Sequence, residues 1–330
     1  MKQLVRNVKI SGTGSYVPET VFTNEYLETI LPTSAQWIYE NIGIKERHIA
    51  SNTQATSDLA TIAGQRAIDD AGLKNEDIEL IIVATSTPDR KAPSTAAFVQ
   101  HKLKAHNAAA FDLTAVCSGF LFGMSVATQY IASGVYNNVL VIGADTFSKI
   151  TDWTKRDAVF FGDGAGAAVV TSSNITEGFL AYRLYTETTN EMLGFTIPGG
   201  GSEIPLTPEN MNEQYFQMDG KAVFKSATTA LPKAINQVLE DTGLSIDDID
   251  LMIPHQPSIR ILQKTAEIIG LPFEKVMTNM DKYANTSGAT IPILLDELKK
   301  SGKLKRGDIV LFAAVGSGWT YGAAIIKWAN

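Results

Sequence analysis

The sequence predicts a duplicated α/β fold, with two similar halves whose sheets sandwich shared central helices. Three observations carry that reading: apolar strands alternate with helical patterns, their order repeats, and landmark residues recur at a near-constant spacing. Strand signals run from Val8 to Gly12, Leu80 to Ala84, Ala108 to Leu113, Val139 to Ile142 and Ala165 to Thr171. Helical periodicity runs from Ser57 to Ala71, Thr95 to Leu103 and Gly119 to Ile131. Such alternation calls for a largely parallel sheet with crossover helices. The stretch Ala67 to Ile82 then has a recognisable copy from Val238 to Ile253, 171 residues later. Asp112-x6-Gly119 recurs as Asp281-x6-Gly288 at 169, and Val139 to Gly143 corresponds to Ile309 to Ala313 at 170. Gly166 to Val170 returns as Gly322 to Ile326. One match could be chance, but four in order imply an internal duplication. The halves are expected over residues 1–173 and 174–330, joined near Ser172 to Glu177.

Composition narrows the function classes. With 330 residues, 45% of them hydrophobic, the chain can bury a large core. Its one cysteine excludes an internal disulfide framework and suits a reducing compartment, so a cytoplasmic location is expected. The stretch Met1 to Val8 lacks a signal-peptide apolar core, and no run approaches the ~18 apolar residues that cross a bilayer. A net charge of -7 argues against nucleic acid as a main partner.

The chemistry gathers at Cys117, in a small-residue turn between an apolar strand and a helix that ends near Gly134. At a helix N-terminus the dipole and oriented N–H groups favour a thiolate and can hold an oxyanion. A buried structural thiol is the bland alternative. Gly119, Gly123 and Ala127 leave one helix face bare, where another helix is expected to approach closely. Because ligands collect beyond the carboxyl ends of strands, the loops of the two halves should face one another. In the second half those loops hold Pro254-His255-Gln256-Pro257, Asn285-Thr286-Ser287-Gly288 after a third strand, and Val315-Gly316-Ser317-Gly318-Trp319. His255 alone could be a core histidine and Asn285 a cap. With Cys117 they fit either a papain-like hydrolase or a pair of neutral donors that stabilise an enolate formed by decarboxylation. The polar stretch from Thr186 to Tyr215 is either a cover over the site or an insertion without a role. Gly162 to Gly166 leads into a strand with no following helix or Lys-Ser/Thr, which rejects a P-loop.

Thr114 to Phe120, Phe161 to Val169, Pro254 to Ile261, Asn285-Thr286-Ser287 and Gly316 to Gly322 resemble β-ketoacyl-acyl carrier protein synthase III, as do Gly12 to Glu19 and Thr33 to Ile38. The resemblance implies the thiolase fold, a layered αβαβα sandwich with two mixed sheets, and a homodimer. It implies an acyltransferase: an acyl-CoA acylates Cys117, then malonyl-acyl carrier protein loses CO2 and its carbanion attacks the thioester, initiating fatty acid synthesis. His255 and Asn285 would hold the malonyl thioester oxygen, and the N–H groups of Cys117 and Ser317 the oxyanion. Trp37 and Arg156 match residues that grip CoA, and Met218 is assigned with them to the substrate site; Asn41 stands where many members have an arginine. Gln256, Pro257, Ser258, Ile259, Arg260 and Lys225 match carrier-protein contacts, although Glu267-Ile268 replaces a Lys-Lys pair. Ala92 stands where many members carry a phenylalanine that reaches in from the partner subunit to close the acyl tunnel, which implies room for starters longer than acetyl. No metal or cofactor is implied beyond the CoA thioester itself. A relative from secondary metabolism making a polyketide or alkylquinolone, or performing plain acyl transfer, is the nearest alternative. A 3-hydroxy-3-methylglutaryl-CoA synthase fits less well, since Thr85 to Ser94 offers only Asp89 as its acid, and a non-catalytic subunit would usually have lost the nucleophile.

Overall fold

The computed structural model describes residues 6–174, 177–188 and 191–330. Met1 to Val5, two residues of the expected junction and two of the Thr186–Tyr215 segment lie outside them. The first half runs β1 (Asn7–Tyr16), β2 (Thr20–Thr23), α1 (Asn24–Ile30), α2 (Ala35–Ile42), β3 (Glu46–Ile49), α3 (Thr56–Asp70), β4 (Leu80–Ala84) and α4 (Thr95–Leu103). It continues with β5 (Ala109–Leu113), α5 (Gly119–Ala132), β6 (Asn138–Thr146) and β7 (Asp163–Ser173). The second half opens with β8 (Gly178–Thr186), β9 (Phe195–Thr196), β10 (Gln217–Met218), α6 (Gly220–Thr242) and β11 (Leu251–Pro254). It closes with α7 (Ile259–Ile269), α8 (Met280–Tyr283), α9 (Thr290–Lys300), β12 (Ile309–Gly316) and β13 (Thr320–Lys327).

The two main sheets share one topology. The first is ordered β1-β7-β6-β4-β5 and the second β8-β13-β12-β11. In each, a parallel part (β6-β4-β5, β12-β11) joins two antiparallel strands, so the sheets are mixed rather than largely parallel. Strand periodicity sorts the side chains into layers. Val139 and Val141 of β6 and Val310, Phe312 and Ala314 of β12 point inward onto α5 and α9. Leu140 and Ile142 point outward onto α3, while Leu311, Ala313 and Val315 point outward onto α6 and α7. The layers are therefore helix, sheet, central helices, sheet, helix.

Two expectations change. The bare face of α5 meets a sheet and not a helix: a Cβ on Gly119 would stand 3.0 Å from the Ala84 Cβ, and one on Gly123 2.9 Å from Val141 Cγ1. The third strand expected in the second half is reduced to one parallel bridge, Met252 to Val276, after which the chain enters the four-residue α8. Asp281 accordingly has a different setting from Asp112, whose carboxylate accepts the Thr95 and Ala96 N–H groups at the start of α4, each at 2.7 Å.

Candidate active site

Each functional side chain hangs from the end of a strand or the start of a helix. The backbone leaves β5, passes Val116 in the left-handed region (φ 47°), and makes a 3-10 turn through Cys117 before α5 begins. His255 follows β11 directly and is fixed by its N–H on the Ala313 carbonyl of β12 at 2.8 Å. Asn285 is held on both sides by the Phe160–Gly162 strip, accepting from Gly162 N and donating to Phe160 O, each at 3.1 Å. The end of β12 comes so close that a Cβ on Gly316 would stand 3.0 Å from Cys117 N. Non-glycine residues with positive φ cluster here, at Val116, Ala284, Ser287 and Trp319, as strained backbone does at functional sites.

One cavity of about 240 Å³ joins these parts, lined by Cys117, His255, Asn285, Ser317 and a wall of Phe160, Phe161, Phe195, Met218 and Phe224. Phe161 and Phe195 belong to an aromatic cluster with Phe147 and Phe216. The polar segment thus covers the site: Phe195 lines the cavity, its carbonyl accepts from the Ser317 hydroxyl, and the Glu191 carbonyl accepts from the Trp319 indole at 3.0 Å. Among the described residues no cluster of His, Cys, Asp and Glu is placed to hold a metal ion, and no helix is long and apolar enough to cross a membrane.

Burial sets the electrostatics. His255 is 3% exposed, and desolvation pushes its ring down to about 3, so it is neutral. Its Nδ1 lies 2.8 Å from Thr290 Oγ1, which leaves Nε2 to face the cavity. The Asn285 amide is oriented in turn, because its Oδ1 accepts the Ser287 N–H at 2.8 Å and Nδ2 is left as a donor. The thiol departs from expectation. Burial, together with the Asp145 carboxylate, pushes Cys117 up to about 12, against the helix dipole.

The outer residues fall differently. Trp37 lines the cavity, and the Arg156 guanidinium stacks on it 3.5 Å from the ring centre, so the two make one platform. Asn41 turns its amide back onto the Trp37 carbonyl at 2.8 Å. Pro257, Ser258 and Arg260 border the cavity, and Ile259 packs towards Gly43. Gln256 is corrected from a carrier contact to a brace: it is 1% exposed, and its amide bonds Pro254 O, Met277 O and Asn279 N. Lys225 pairs with Glu191 outside the main cavity. Ala92 is exposed and lines no part of its own chain's cavity. Three residues escaped sequence reading: Thr290 behind His255, Ser287 beside the thiol and the buried Asp145. Ser287 lay in a quoted motif, but nothing local marks Asp145 among the apolar residues of β6.

Residues 111–188 match the family described as 3-oxoacyl-acyl carrier protein (ACP) synthase III, and residues 239–328 match its C-terminal family. The chain is 48% identical to the β-ketoacyl-acyl carrier protein synthase III of Caldanaerobacter subterraneus subsp. tengcongensis, covering 97% of this chain and 98% of that one. It is 45% identical to the protein of the same name from Desulfitobacterium hafniense, covering 98% of each. Among solved structures, the 3-oxoacyl-acyl carrier protein synthase III of Aquifex aeolicus superposes with a TM-score of 0.90 at 43% identity, covering 97% of this chain and 100% of that chain.

Proposed function

Because this chain belongs to the β-ketoacyl-acyl carrier protein synthase III family, we propose that Cys117, His255 and Asn285 carry out its condensation. The protein is an acyltransferase-type condensing enzyme of the initiation step of fatty acid synthesis. In the reading proposed here, an acyl-CoA enters past Trp37 and Arg156, and Cys117 Sγ attacks its thioester carbon. The N–H groups of Cys117 and Ser317 receive the developing oxyanion. CoA leaves, malonyl-acyl carrier protein takes its place, and the malonyl thioester oxygen accepts from His255 Nε2 and Asn285 Nδ2. Loss of CO2 then gives a carbanion that attacks the acyl group on Cys117 and yields the 3-oxoacyl product. A neutral ring suits this role, since a charged imidazolium would be costly in so dry a site. For Nε2 to donate, Thr290 must give its hydroxyl proton to Nδ1 and not to the Ser287 carbonyl, which lies at 3.1 Å. No metal or cofactor has a step here.

The carrier protein is assigned to the start of α7, through Pro257, Ser258, Ile259 and Arg260, with Lys225 at the rim. A cytoplasmic homodimer is the assembly we propose, with Ala92 turned to the partner's acyl tunnel. The observation that carries the reading is the single cavity onto which thiol, imidazole and oriented amide converge. Intact-mass measurement with a panel of acyl-CoAs tests it: one acyl mass should be added, and Cys117→Ala should abolish it. Acylation persisting in that variant would overturn the assignment.

A further inference from the structure

Arg47, on β3, is 0% exposed and carries a charge that the scheme above does not use. Burying a guanidinium is costly unless its donors are met. Its partners are three uncharged oxygens on three separate segments. Nη1 donates to the Phe22 carbonyl of β2 at 3.0 Å. Nη2 donates to Asn24 Oδ1 at the start of α1, at 2.9 Å, and to the Val159 carbonyl at 3.1 Å. Val159 ends the 3-10 turn that Arg156 opens. We propose that Arg47 and Asn24 are a positioning pair that holds Arg156 against Trp37 and so sets the affinity for the nucleotide end of an acyl-CoA. This rests on the reading that Trp37 and Arg156 grip CoA.

The two bearers of the stack come from different parts of the chain. Arg156 is exposed on its turn, and Trp37 is half-buried on α2. A cation over a ring at the surface is a weak contact by itself. Beneath it lies a buried bridge. Arg47 holds the last carbonyl of the Arg156 turn, and Asn24, 3% exposed, holds α2 at both ends. Its Nδ2 donates to the Ile44 carbonyl just past the helix at 2.7 Å and to the Ala35 carbonyl at its start at 3.4 Å, while its N–H donates to the Lys45 carbonyl at 2.9 Å. The Arg47–Asn24 bond therefore closes a ring: turn, guanidinium, amide, α2, and back through the stacked pair. A guanidinium suits the place because its planar fork aims several donors at once, which an ammonium cannot do. Burial lowers Arg47 to about 10, still far enough above neutral pH to keep every donor.

The pair should serve one half-reaction only. CoA and an acyl carrier protein present their acyl groups on the same pantetheine arm, and CoA alone adds a nucleotide. The strip that follows the turn, Phe160 to Gly162, is held separately through both backbone bonds to Asn285, so the decarboxylating side of the site does not hang from Arg47.

Acylation of Cys117, followed by intact mass with an acyl-CoA and with the same acyl group on pantetheine, tests the pair. The wild type should prefer the CoA thioester by ~10-fold or more in KM, and Arg156→Ala should remove that preference. Arg47→Lys keeps the charge and most of the stem but loses the fork. It should raise the KM for acyl-CoA ~10-fold while the saturating rate, the reaction with acyl-pantetheine and malonyl decarboxylation each stay within ~2-fold of wild type. Asn24→Ala breaks the same bridge from its other end and should do the same, and it carries the test if Arg47→Lys does not fold. The double variant should be no worse than the worse single. An unchanged KM for acyl-CoA in Arg47→Lys and Asn24→Ala would overturn the proposal, as would equal losses with both thioesters, which mark a residue needed only for the fold. A wild type that treats the two thioesters alike, or a preference that survives in Arg156→Ala, would instead overturn the CoA grip on which the proposal rests.

Discussion

In the first half the chain leaves β5, turns through Val116 at φ 47° and Cys117, and enters α5; in the second it turns through Ser287 at φ 52° and Gly288 and enters α9. In the structure a spacing of 171 residues relates Val116 to Ser287 and Cys117 to Gly288, two residues off the 169 at which the sequence matched Gly119 to Gly288, and it relates Asp145 to Gly316 at the ends of β6 and β12. That last pair separates the two turns. Asp145 closes over the second, accepting the Gly288 N–H at 3.1 Å. Gly316 stands over the first, and a Cβ there would lie 3.0 Å from Cys117 N and 2.9 Å from Ala115 O. Only a residue without a side chain leaves room for a substrate oxygen at that N–H. Duplication supplied the same helix start twice, and in the proposed function the chemistry comes from where the copies differ: one turn is open and carries the thiol, and the other is filled and holds Asn285 and Ser287.

The largest expected effect falls where the two halves touch. A Cβ on Gly143 would stand 2.1 Å from the Gly288 carbonyl oxygen, whereas one on Gly288 meets nothing closer than 3.4 Å. Gly143→Ala should therefore cost more than ~4 kcal/mol, and Gly288→Ala about 1 kcal/mol, in urea unfolding. Similar costs would mean that the contact is not the seam. Next comes Gly316→Ala, which should keep the fold and slow acylation by ~100-fold or more, read as the burst of CoA release, because it fills the open turn. A normal burst would place the oxyanion elsewhere. Thr290→Val removes the hydroxyl that directs the His255 proton and should slow malonyl decarboxylation by ~10-fold, with acylation little changed.

The smallest effect is a pair of opposed slopes of stability against pH. His255 is lowered from 6.5 to about 3, so its contribution is present above about pH 6.5 and is lost as pH falls towards 3. Asp145 is raised from 3.8 to about 6, so its contribution is present in acid and is lost as pH rises through 6. Each is worth at most about 1.4 kcal/mol per pH unit, and between about pH 4 and pH 6 they oppose one another. Relative to wild type, His255→Ala should gain stability on acidification and Asp145→Asn should lose it, in urea midpoints across that range. Parallel shifts in the two variants would contradict the opposed burial of acid and base.

Much of this was legible in the chain. Apolar runs such as Leu80 to Ala84 and Val139 to Ile142 are buried on both sides and read as strands without ambiguity, and the repeat exposed the two-sheet plan. Cys117 and His255 each follow an apolar run, whereas Asn285 follows the mixed stretch Met280-Asp281-Lys282-Tyr283-Ala284 and was placed by the repeat. The missing third strand was not legible, because Val276 and Met277 are apolar enough for a strand and only the tertiary path turns them away. The raised thiol escaped for a related reason: a helix start is visible in sequence, whereas the burial that outweighs it, with the added charge of Asp145, arises only once the chain is folded. Gln256, beside His255, looked equally available until its burial was known.

The central claim is a division of labour, with acyl transfer at the open turn and enolate stabilisation by His255 and Asn285. It is tested most directly by measuring the two half-reactions separately in His255→Ala and Asn285→Ala: acylation of Cys117 by intact mass, and CO2 release from malonyl-acyl carrier protein. Decarboxylation should fall by ~100-fold or more in each variant while Cys117 still loads, because neither side chain is needed to hold the acyl oxyanion. Equal loss of both half-reactions would contradict the account and make His255 the base of a cysteine–histidine pair.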